Sequence, residues 1–210
     1  MTFVPACKGA QILSLACLML AACSLRPDQP QPTTYTLAPE RQPEQALTDK
    51  PDTTGAKIAI ARVKAAPDLQ SRRILIKRPG GITDYYADSR WNLAPAKLVS
   101  DVIEEALTAR FGSRIMPHRQ AGNAADYKLQ LRLRDFQAEY TESTNIPPVV
   151  RVAVTADMHT TEADDEVSRK RFDVTQKADA NTMRDVRVAF EKALHRVTDK
   201  IAATLIREHI

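Results

Sequence analysis

The chain of 210 residues is poor in glycine, cysteine and aromatic residues: it has six glycines and three cysteines, and 5% of its residues are aromatic. Cys7, Cys17 and Cys23 all lie at the N-terminus, so the remaining sequence has no thiol for a disulfide, a thiolate-ligated metal or a nucleophile. The scarcity of glycine disfavours a phosphate-binding loop. The sequence also lacks a Gly-x-Ser-x-Gly elbow, a Walker loop and a His-Glu-x-x-His motif.

An excess of either charge is also missing. Thirty basic residues face 26 acidic ones, and a net charge of +4 is too small and too scattered to indicate a nucleic-acid partner. The four histidines are far apart in the sequence, and the acidic run Asp164-Asp165-Glu166 does not have the ligand spacing of an EF-hand. We therefore expect no metal, no cofactor and no enzymatic activity.

The N-terminus has the order of a secretory signal peptide: Lys8 precedes an apolar run over residues 10–22. Thirteen helical residues span about 20 Å, which is shorter than a hydrocarbon core of about 30 Å. The run ends in Leu20-Ala21-Ala22-Cys23, which resembles the lipobox of bacterial lipoproteins. This resemblance implies that residues 1–22 are removed and that Cys23 carries the lipid. The alternative is an ordinary signal peptide that happens to end near a cysteine.

Residues 23–56 read as a tether after the lipidated cysteine, because six of the 13 prolines lie there among polar residues. Such a segment cannot bury enough apolar surface to fold alone, and at about 3.1 Å per residue it could reach about 100 Å. Tyr35-Thr36-Leu37 is an exception with the composition of a strand. Ser24, rather than Asp, follows the cysteine, which by the sorting rule of enteric bacteria indicates the periplasmic face of the outer membrane.

Residues 57–210 show no repeat and no break in composition, which predicts a single domain. Apolar residues alternate with polar ones in several strands, and the two long helices have apolar residues three and four positions apart. The pattern predicts an α+β fold with a mixed, mainly antiparallel sheet and both helices packed on one of its faces. The predicted strands cover residues 57–63, 72–77, 82–86, 114–116, 127–136, 150–158 and the surroundings of Phe172 and Val174; the predicted helices cover residues 95–111 and 183–208.

Basic side chains recur on one side of the strand over residues 127–136. Lys128, Arg132 and Arg134, together with Arg151 on the next strand, could form a basic face that contacts anionic lipid headgroups or an acidic partner. The alternative is the ordinary charged, water-facing side of a sheet.

Three aromatic residues near the first long helix are candidate contacts for a partner or a lipid. Tyr85, Tyr86 and the single tryptophan, Trp91, are rigid side chains of the kind that anchor interfaces. For Trp91, the alternative is packing beneath the N-terminus of the helix.

Several of these features occur in an order that resembles the ABC-type transport auxiliary lipoproteins, over residues 35–206. The resemblance implies a mixed sheet with helices in which Tyr35-Thr36-Leu37 is a strand, and it supplies no catalytic residue. One departure is the stretch of about 20 residues between Leu37 and Lys57. The matching features, in order, are Cys23, Tyr35-Thr36-Leu37, Arg72-Arg73-Ile74-Leu75, Tyr85-Tyr86, Arg90-Trp91 and Pro95-Ala96-Lys97-Leu98.

The resemblance further implies partners. These are an ABC transporter and a periplasmic MCE-domain protein, which move phospholipid or other hydrophobic molecules between the inner and outer membranes. The lipoprotein would dock the MCE assembly at the outer membrane or help to pass lipid there. An alternative is an assembly lipoprotein for an outer-membrane β-barrel or another envelope complex, and a third hypothesis is a lipoprotein hydrolase. The sequence leaves open whether the body itself binds phospholipid and whether the protein forms homo-oligomers.

Overall fold

The computed structural model describes residues 31–37, 55–121, 124–141 and 145–208. The predicted signal peptide, Cys23 and most of the predicted tether lie outside the described residues. Residues from Pro32 onward form one compact unit. This unit therefore begins upstream of the body predicted to start at residue 57.

Nine strands, three α-helices and three short 3-10 helices make up the described fold. The strands are β1 (Thr33–Tyr35), β2 (Ile58–Ile60), β3 (Lys64–Ala65), β4 (Arg73–Arg78), β5 (Ile82–Trp91), β6 (Ile115–Pro117), β7 (Tyr127–Glu139), β8 (Val149–Thr160) and β9 (Glu166–Lys177); the helices are α1 (Pro95–Phe111), α2 (His118–Ala121) and α3 (Met183–Arg207).

The strands form one mixed sheet with β7 at its centre. On one side β7 pairs antiparallel with β8, which pairs antiparallel with β9. On the other side β7 pairs parallel with β2, β3 and β4; β5 then lies antiparallel to β4, β1 lies parallel to the end of β5, and β6 lies parallel to β2. Antiparallel contacts account for most of the paired residues, which confirms the predicted mixed, mainly antiparallel sheet.

The core lies between the sheet and the two long helices. Leu129, Leu131 and Leu133 of β7 point into it, and they alternate with polar residues on the opposite side of the strand. The pairing register with β8 shifts between Leu133 and Asp135, so that Phe136 also joins the core. The inward side chains of β8 and β9 belong to the same cluster as the apolar sides of α1 and α3, which confirms the predicted α+β fold.

Local sequence signals explain where the long helices begin and end. Helix α1 starts with Pro95 in its first turn and stops at Gly112, whose φ of 55° lies in the left-handed region that favours glycine. Helix α3 starts after Thr182, whose hydroxyl accepts a hydrogen bond of 3.2 Å from the backbone N–H of Asp185. Both helices match the predicted spans within one residue.

Two segments differ from the sequence prediction. Residues 57–63 contain a three-residue strand, β2, rather than a continuous strand, and the chain continues into β3. Strand β5 runs to Trp91, five residues beyond the predicted end, because after an irregular stretch it acquires a new partner in β1, where Tyr35 pairs with Trp91. Strand β1 includes Tyr35 but begins at Thr33, and Leu37 beyond it is buried in the core.

Candidate functional site

Trp91 lies at the centre of an aromatic cluster in the core. Its ring centroid is 5.8 Å from that of Phe136 on β7 and 5.2 Å, edge to face, from that of Phe190 on α3. Its carbonyl accepts a hydrogen bond of 3.0 Å from Nε of Arg72. The Trp91 side chain is 0% exposed, so a partner cannot reach it in this conformation, and core packing describes its position.

Tyr86 belongs to a chain of hydrogen bonds that joins three segments. Its hydroxyl lies 2.8 Å from the hydroxyl of Tyr140, which donates to Oδ1 of Asn181 at 2.7 Å. Because Tyr140 donates its proton to Asn181, the remaining bond requires Tyr86 to be a donor. Burial raises the pKa of Tyr86 above its ordinary value, and the bond to Tyr140 raises it further. Tyr86 therefore links β5, the end of β7 and the start of α3 as a neutral hydroxyl.

Tyr85, next to Tyr86 in the sequence, remains partly exposed. The guanidinium carbon of Arg73 lies 3.5 Å from the centroid of the Tyr85 ring, which is the geometry of a cation–π contact. Of the three aromatic candidates, Trp91 is buried in the core, whereas Tyr85 and Tyr86 are both half-buried. Tyr86 is also held by its hydrogen bond to Tyr140. Nothing in the local sequence around Tyr140 or Asn181 marks them as partners, because they are distant in the chain.

The basic residues of β7 do not form a basic face. Nζ of Lys128 lies 3.7 Å from Asp164, and Nη2 of Arg132 lies 3.0 Å from Asp157. Arg134 donates to the hydroxyl of Thr155 at 3.4 Å.

The neighbouring Arg151 is also paired, since it contacts Glu139 at 3.0 Å and Asp173 at 3.1 Å. Burial lowers the pKa of Arg151, but the two carboxylates outweigh it and the pKa is raised. This outer side of β7, β8 and β9 is therefore a network of opposite charges, which fits the alternative of a water-facing side. The sequence pattern showed the cations of one strand but not the acids that other strands bring beside them.

Asp157 is the most deeply buried member of this ion-pair network, with 0% of its surface exposed. Nε of Arg169 on β9 donates to its Oδ1 at 2.6 Å, and Arg132 on β7 contacts its Oδ2. That second contact is ionic rather than an aligned hydrogen bond, since Oδ2 has no hydrogen-bond donor in the described structure. The hydrogen bond to Asp157, followed by the carboxylate charges of Asp157 and Glu166, raises the pKa of Arg169. One carboxylate of β8 thus ties together both neighbouring strands.

An apolar recess lies between the last turns of α3 and the sheet. At its mouth, Lys170 forms an ion pair with Glu208, and Ser168 donates to Glu208 at 3.3 Å. Its volume is about 260 Å³ including the part open to solvent, but only about 10 Å³ is accessible to the centre of a water molecule. That is roughly the room needed for one water, so the recess does not hold an acyl chain in this conformation. The apolar lining consists of Leu129, Ala156, Met158, Phe172, Ile201 and Leu205.

Two further searches concern metal sites and membrane-spanning helices. Among residues 31–37, 55–121, 124–141 and 145–208, no group of three or more histidine, cysteine or acidic residues is arranged to hold a metal ion. No helix in the described part of the chain combines the length and the apolar character needed to cross a membrane.

The family of the chain follows from a sequence comparison. The family model for the ABC-type transport auxiliary lipoprotein component matches residues 35–202, from the end of β1 to the last turns of α3. The chain belongs to this family of auxiliary transport lipoproteins. The predicted resemblance is confirmed.

Solved structures show the same fold. Protein XCC0632 from Xanthomonas campestris, of family DUF330, is 21% identical with a TM-score of 0.69, over 83% of this chain and 95% of that one. An uncharacterized protein is 8% identical with a TM-score of 0.64, over 83% and 99% of the two chains. Lipoprotein GNA1162 from Neisseria meningitidis is 9% identical over 70% and 99%, but its TM-score of 0.36 is too low to support an argument. No curated protein is detectably similar in sequence.

The hydroxyl chain of Tyr86 yields a pH-dependent prediction. Tyr86→Phe leaves Tyr140 without a donor, and we expect it to lower the free energy of unfolding by about 1 kcal/mol at pH 7. Above pH 10 tyrosine ionises in the unfolded state, while Tyr86 with its raised pKa stays protonated in the folded state. Its contribution is thus complete below pH 10 and falls at higher pH, by at most about 1.4 kcal/mol per pH unit. Urea denaturation at pH 7, 10 and 11 measures both effects.

The control is Tyr85→Phe, which removes a hydroxyl outside this chain. We expect the stability difference between wild type and Tyr86→Phe to shrink above pH 10, and the difference for Tyr85→Phe to stay constant. A Tyr86→Phe difference that is independent of pH would contradict the assignment of Tyr86 as a half-buried neutral donor.

The ion-pair network yields a second prediction. Asp157→Asn removes the charge shared by Arg132 and Arg169, and we expect the free energy of unfolding to fall by about 1–3 kcal/mol. The loss stays in this range because both guanidinium groups are partly exposed and can be hydrated. Asp173→Asn, in the same network but more exposed, should cost less than about 1 kcal/mol. The measurement is urea denaturation, because guanidinium chloride would screen the charges. Equal losses of unfolding free energy in Asp157→Asn and Asp173→Asn would show that Asp157 has no special role.

Proposed function

We propose that this protein is a lipid-anchored component on the periplasmic face of the outer membrane that docks a periplasmic MCE-domain protein of an ABC transport system. The system would move phospholipid or other hydrophobic molecules between the inner and outer membranes. The observation that carries this proposal is the family match over residues 35–202, which includes nearly the whole described sheet and both long helices. The lipobox ending at Cys23 supports the anchor.

The geometry of the described residues fits docking better than carrying lipid. Pockets for small ligands have volumes of about 300–1,000 Å³, whereas the recess beside α3 has room for about one water molecule. The ionised side chains of the sheet are engaged with one another, as Arg132 and Arg169 are with Asp157. Such a surface is polar and rigid.

The anchor would hold the body close to the membrane. Strand β1 begins at Thr33 and pairs with β5, so only nine residues separate it from Cys23. The ten Cα–Cα steps from Cys23 to Thr33 span at most about 36 Å even when fully extended. This limit replaces the reach of about 100 Å that follows from treating residues 23–56 as free tether.

One end of the sheet is the best candidate for the docking surface. Strands β4 and β7 run parallel and end together, where Lys77 pairs with Glu139. Ile82 follows the turn after β4, and Ile146 lies in the connection after β7; their side chains are 58% and 42% exposed. Large apolar side chains exposed at one end of a body suit a protein contact.

The anchor is tested by Cys23→Ala. We expect the variant to incorporate no radiolabelled palmitate and to accumulate as uncleaved precursor, because the thioether forms on the Cys23 sulfur. Cys17→Ala is the matched control and should be labelled and processed like wild type. Label retained in Cys23→Ala would contradict the proposed anchor.

The partner is tested by photocrosslinking in intact cells. A photoreactive residue at Ile82 should crosslink to an MCE-domain protein, identified by mass spectrometry. The same residue at Thr108, which is exposed on α1, is the control and should give little of that product.

A barrel protein or cell-wall fragment at Ile82, without any MCE-domain protein, would contradict the transport role. It would favour the alternative of an assembly lipoprotein. An MCE-domain product at Thr108 but not at Ile82 would move the docking surface to the helical side while preserving the function.

A further inference from the structure

The second half of α3 has an exposed stripe of cations. Arg196, Lys200 and Arg207 are all exposed. Together with Ala203, they occupy positions 196, 200, 203 and 207, which are three or four residues apart. Residues at this spacing lie on the same side of a helix. We call Arg196, Lys200 and Arg207 the basic stripe.

The cations of the basic stripe have no carboxylate partner in the described structure, in contrast to those on the outer side of the sheet. None of its three side chains lies within 4 Å of a carboxylate among the described residues, whereas Arg132 and Arg169 are both paired with Asp157. On the flanks of the stripe, Lys192 pairs with Asp179 at 3.5 Å. Two acids adjoin the stripe in sequence: Asp199 is next to Lys200, and Glu208, which is paired with Lys170, is next to Arg207. The stripe is therefore a charged surface available to an external anion.

Apolar surface accompanies these charges at the same end of the helix. The side chain of Ile206 is 47% exposed, beside Arg207, and Ala203 is exposed between the cations. Cations with long aliphatic stems beside an exposed isoleucine are typical of a helix that lies on a lipid surface, where the charges meet headgroups and the apolar side chain enters the interface. A compact acidic pocket on a protein would not require the isoleucine.

The acids of the helical side limit the contact to α3. Asp101, Glu104 and Glu105 lie along the outer side of α1, and an anionic surface would repel them. The contact surface for an external anion therefore consists of the basic stripe and Ile206.

We propose that the basic stripe of α3 rests on anionic phospholipid headgroups of the membrane that anchors the protein. The proposal rests on the anchor of the proposed function, because the nine residues between Cys23 and Thr33 keep Thr33, where the body begins, within about 36 Å of that membrane. Tethering at this distance gives an effective concentration in the millimolar range, so a weak contact suffices to orient the body. The contact would fix which end of the sheet faces the periplasm.

The size of the effect follows from the number of cations. Each basic residue near an anionic surface strengthens binding about fivefold, so three residues contribute roughly 100-fold. The contribution falls with ionic strength because salt screens it over about 10 Å at 0.1 M.

The test uses the chain beginning at Ser24, so that binding does not depend on the lipid anchor. The described core runs from Leu37 to Leu205, within the compact unit that starts at Pro32, so this chain keeps the whole core. Binding is measured by sedimentation with vesicles of phosphatidylcholine alone and of phosphatidylcholine with about 30% phosphatidylglycerol, at low and high salt. We expect binding only to the anionic vesicles, and its loss at high salt.

Two triple variants separate the stripe from net charge. Arg196→Glu/Lys200→Glu/Arg207→Glu should weaken binding to anionic vesicles by at least about 100-fold. The control, Arg62→Glu/Arg110→Glu/Arg134→Glu, changes the net charge equally at exposed positions elsewhere and should weaken it less than about fivefold. Circular dichroism and thermal melting establish that both variants are folded.

Equal weakening by both variants would show a general charge effect and overturn the proposal. So would wild-type binding that is independent of phosphatidylglycerol, or no binding to either vesicle. A stripe that fails to bind vesicles but crosslinks at Ala203 to a protein in cells would identify a protein surface instead. None of these outcomes bears on whether Ile82 contacts an MCE-domain protein, so the two proposals fail separately.

Discussion

The pairing register of β7 is the constraint on which both sides of the sheet depend. Its leucines at 129, 131 and 133 fill the core, and between them Lys128 and Arg132 reach acids on the other side. A slip of one residue would exchange the two sets, burying cations and exposing leucines. The hydrophobic core and the ion-pair network therefore favour the same register, and a slip of β7 would disrupt both.

Pairing within the sheet also determines which charges remain for other molecules. Asp157 is fully buried and holds Arg132 and Arg169, and Arg151 lies between Glu139 and Asp173. These guanidinium groups would lose partners of opposite charge before they could meet a new one, which makes the sheet a poor binder of anions. Arg196, Lys200 and Arg207 of α3 carry no such cost, whereas Arg187 and Lys192 of the same helix are paired. A protein of nearly balanced charge can thus present a local positive surface on one helix.

Local patterns in the sequence predicted the long elements well and the connections between them poorly. Helices α1 and α3 were predicted within one residue because their apolar stripes, the proline of α1 and Gly112 are encoded locally. The last five residues of β5 were missed, because β1 pairs with them from more than 50 positions away. Tyr140 and Asp157 were missed for the same reason: a tyrosine at a strand end and an aspartate within a strand acquire meaning only from their neighbours in space.

The short strand β1 has a larger consequence than its three residues suggest. Without it, the chain between Cys23 and the body would have more than 30 residues and could let the body move far from the lipid. With Thr33 fixed beside Ser89, the proposed anchor keeps Thr33, and with it the start of the body, within about 36 Å of its own membrane. A body held at this distance cannot shuttle a lipid to a distant membrane. The geometry therefore favours a fixed docking point, to which the other parts of the transport system must extend.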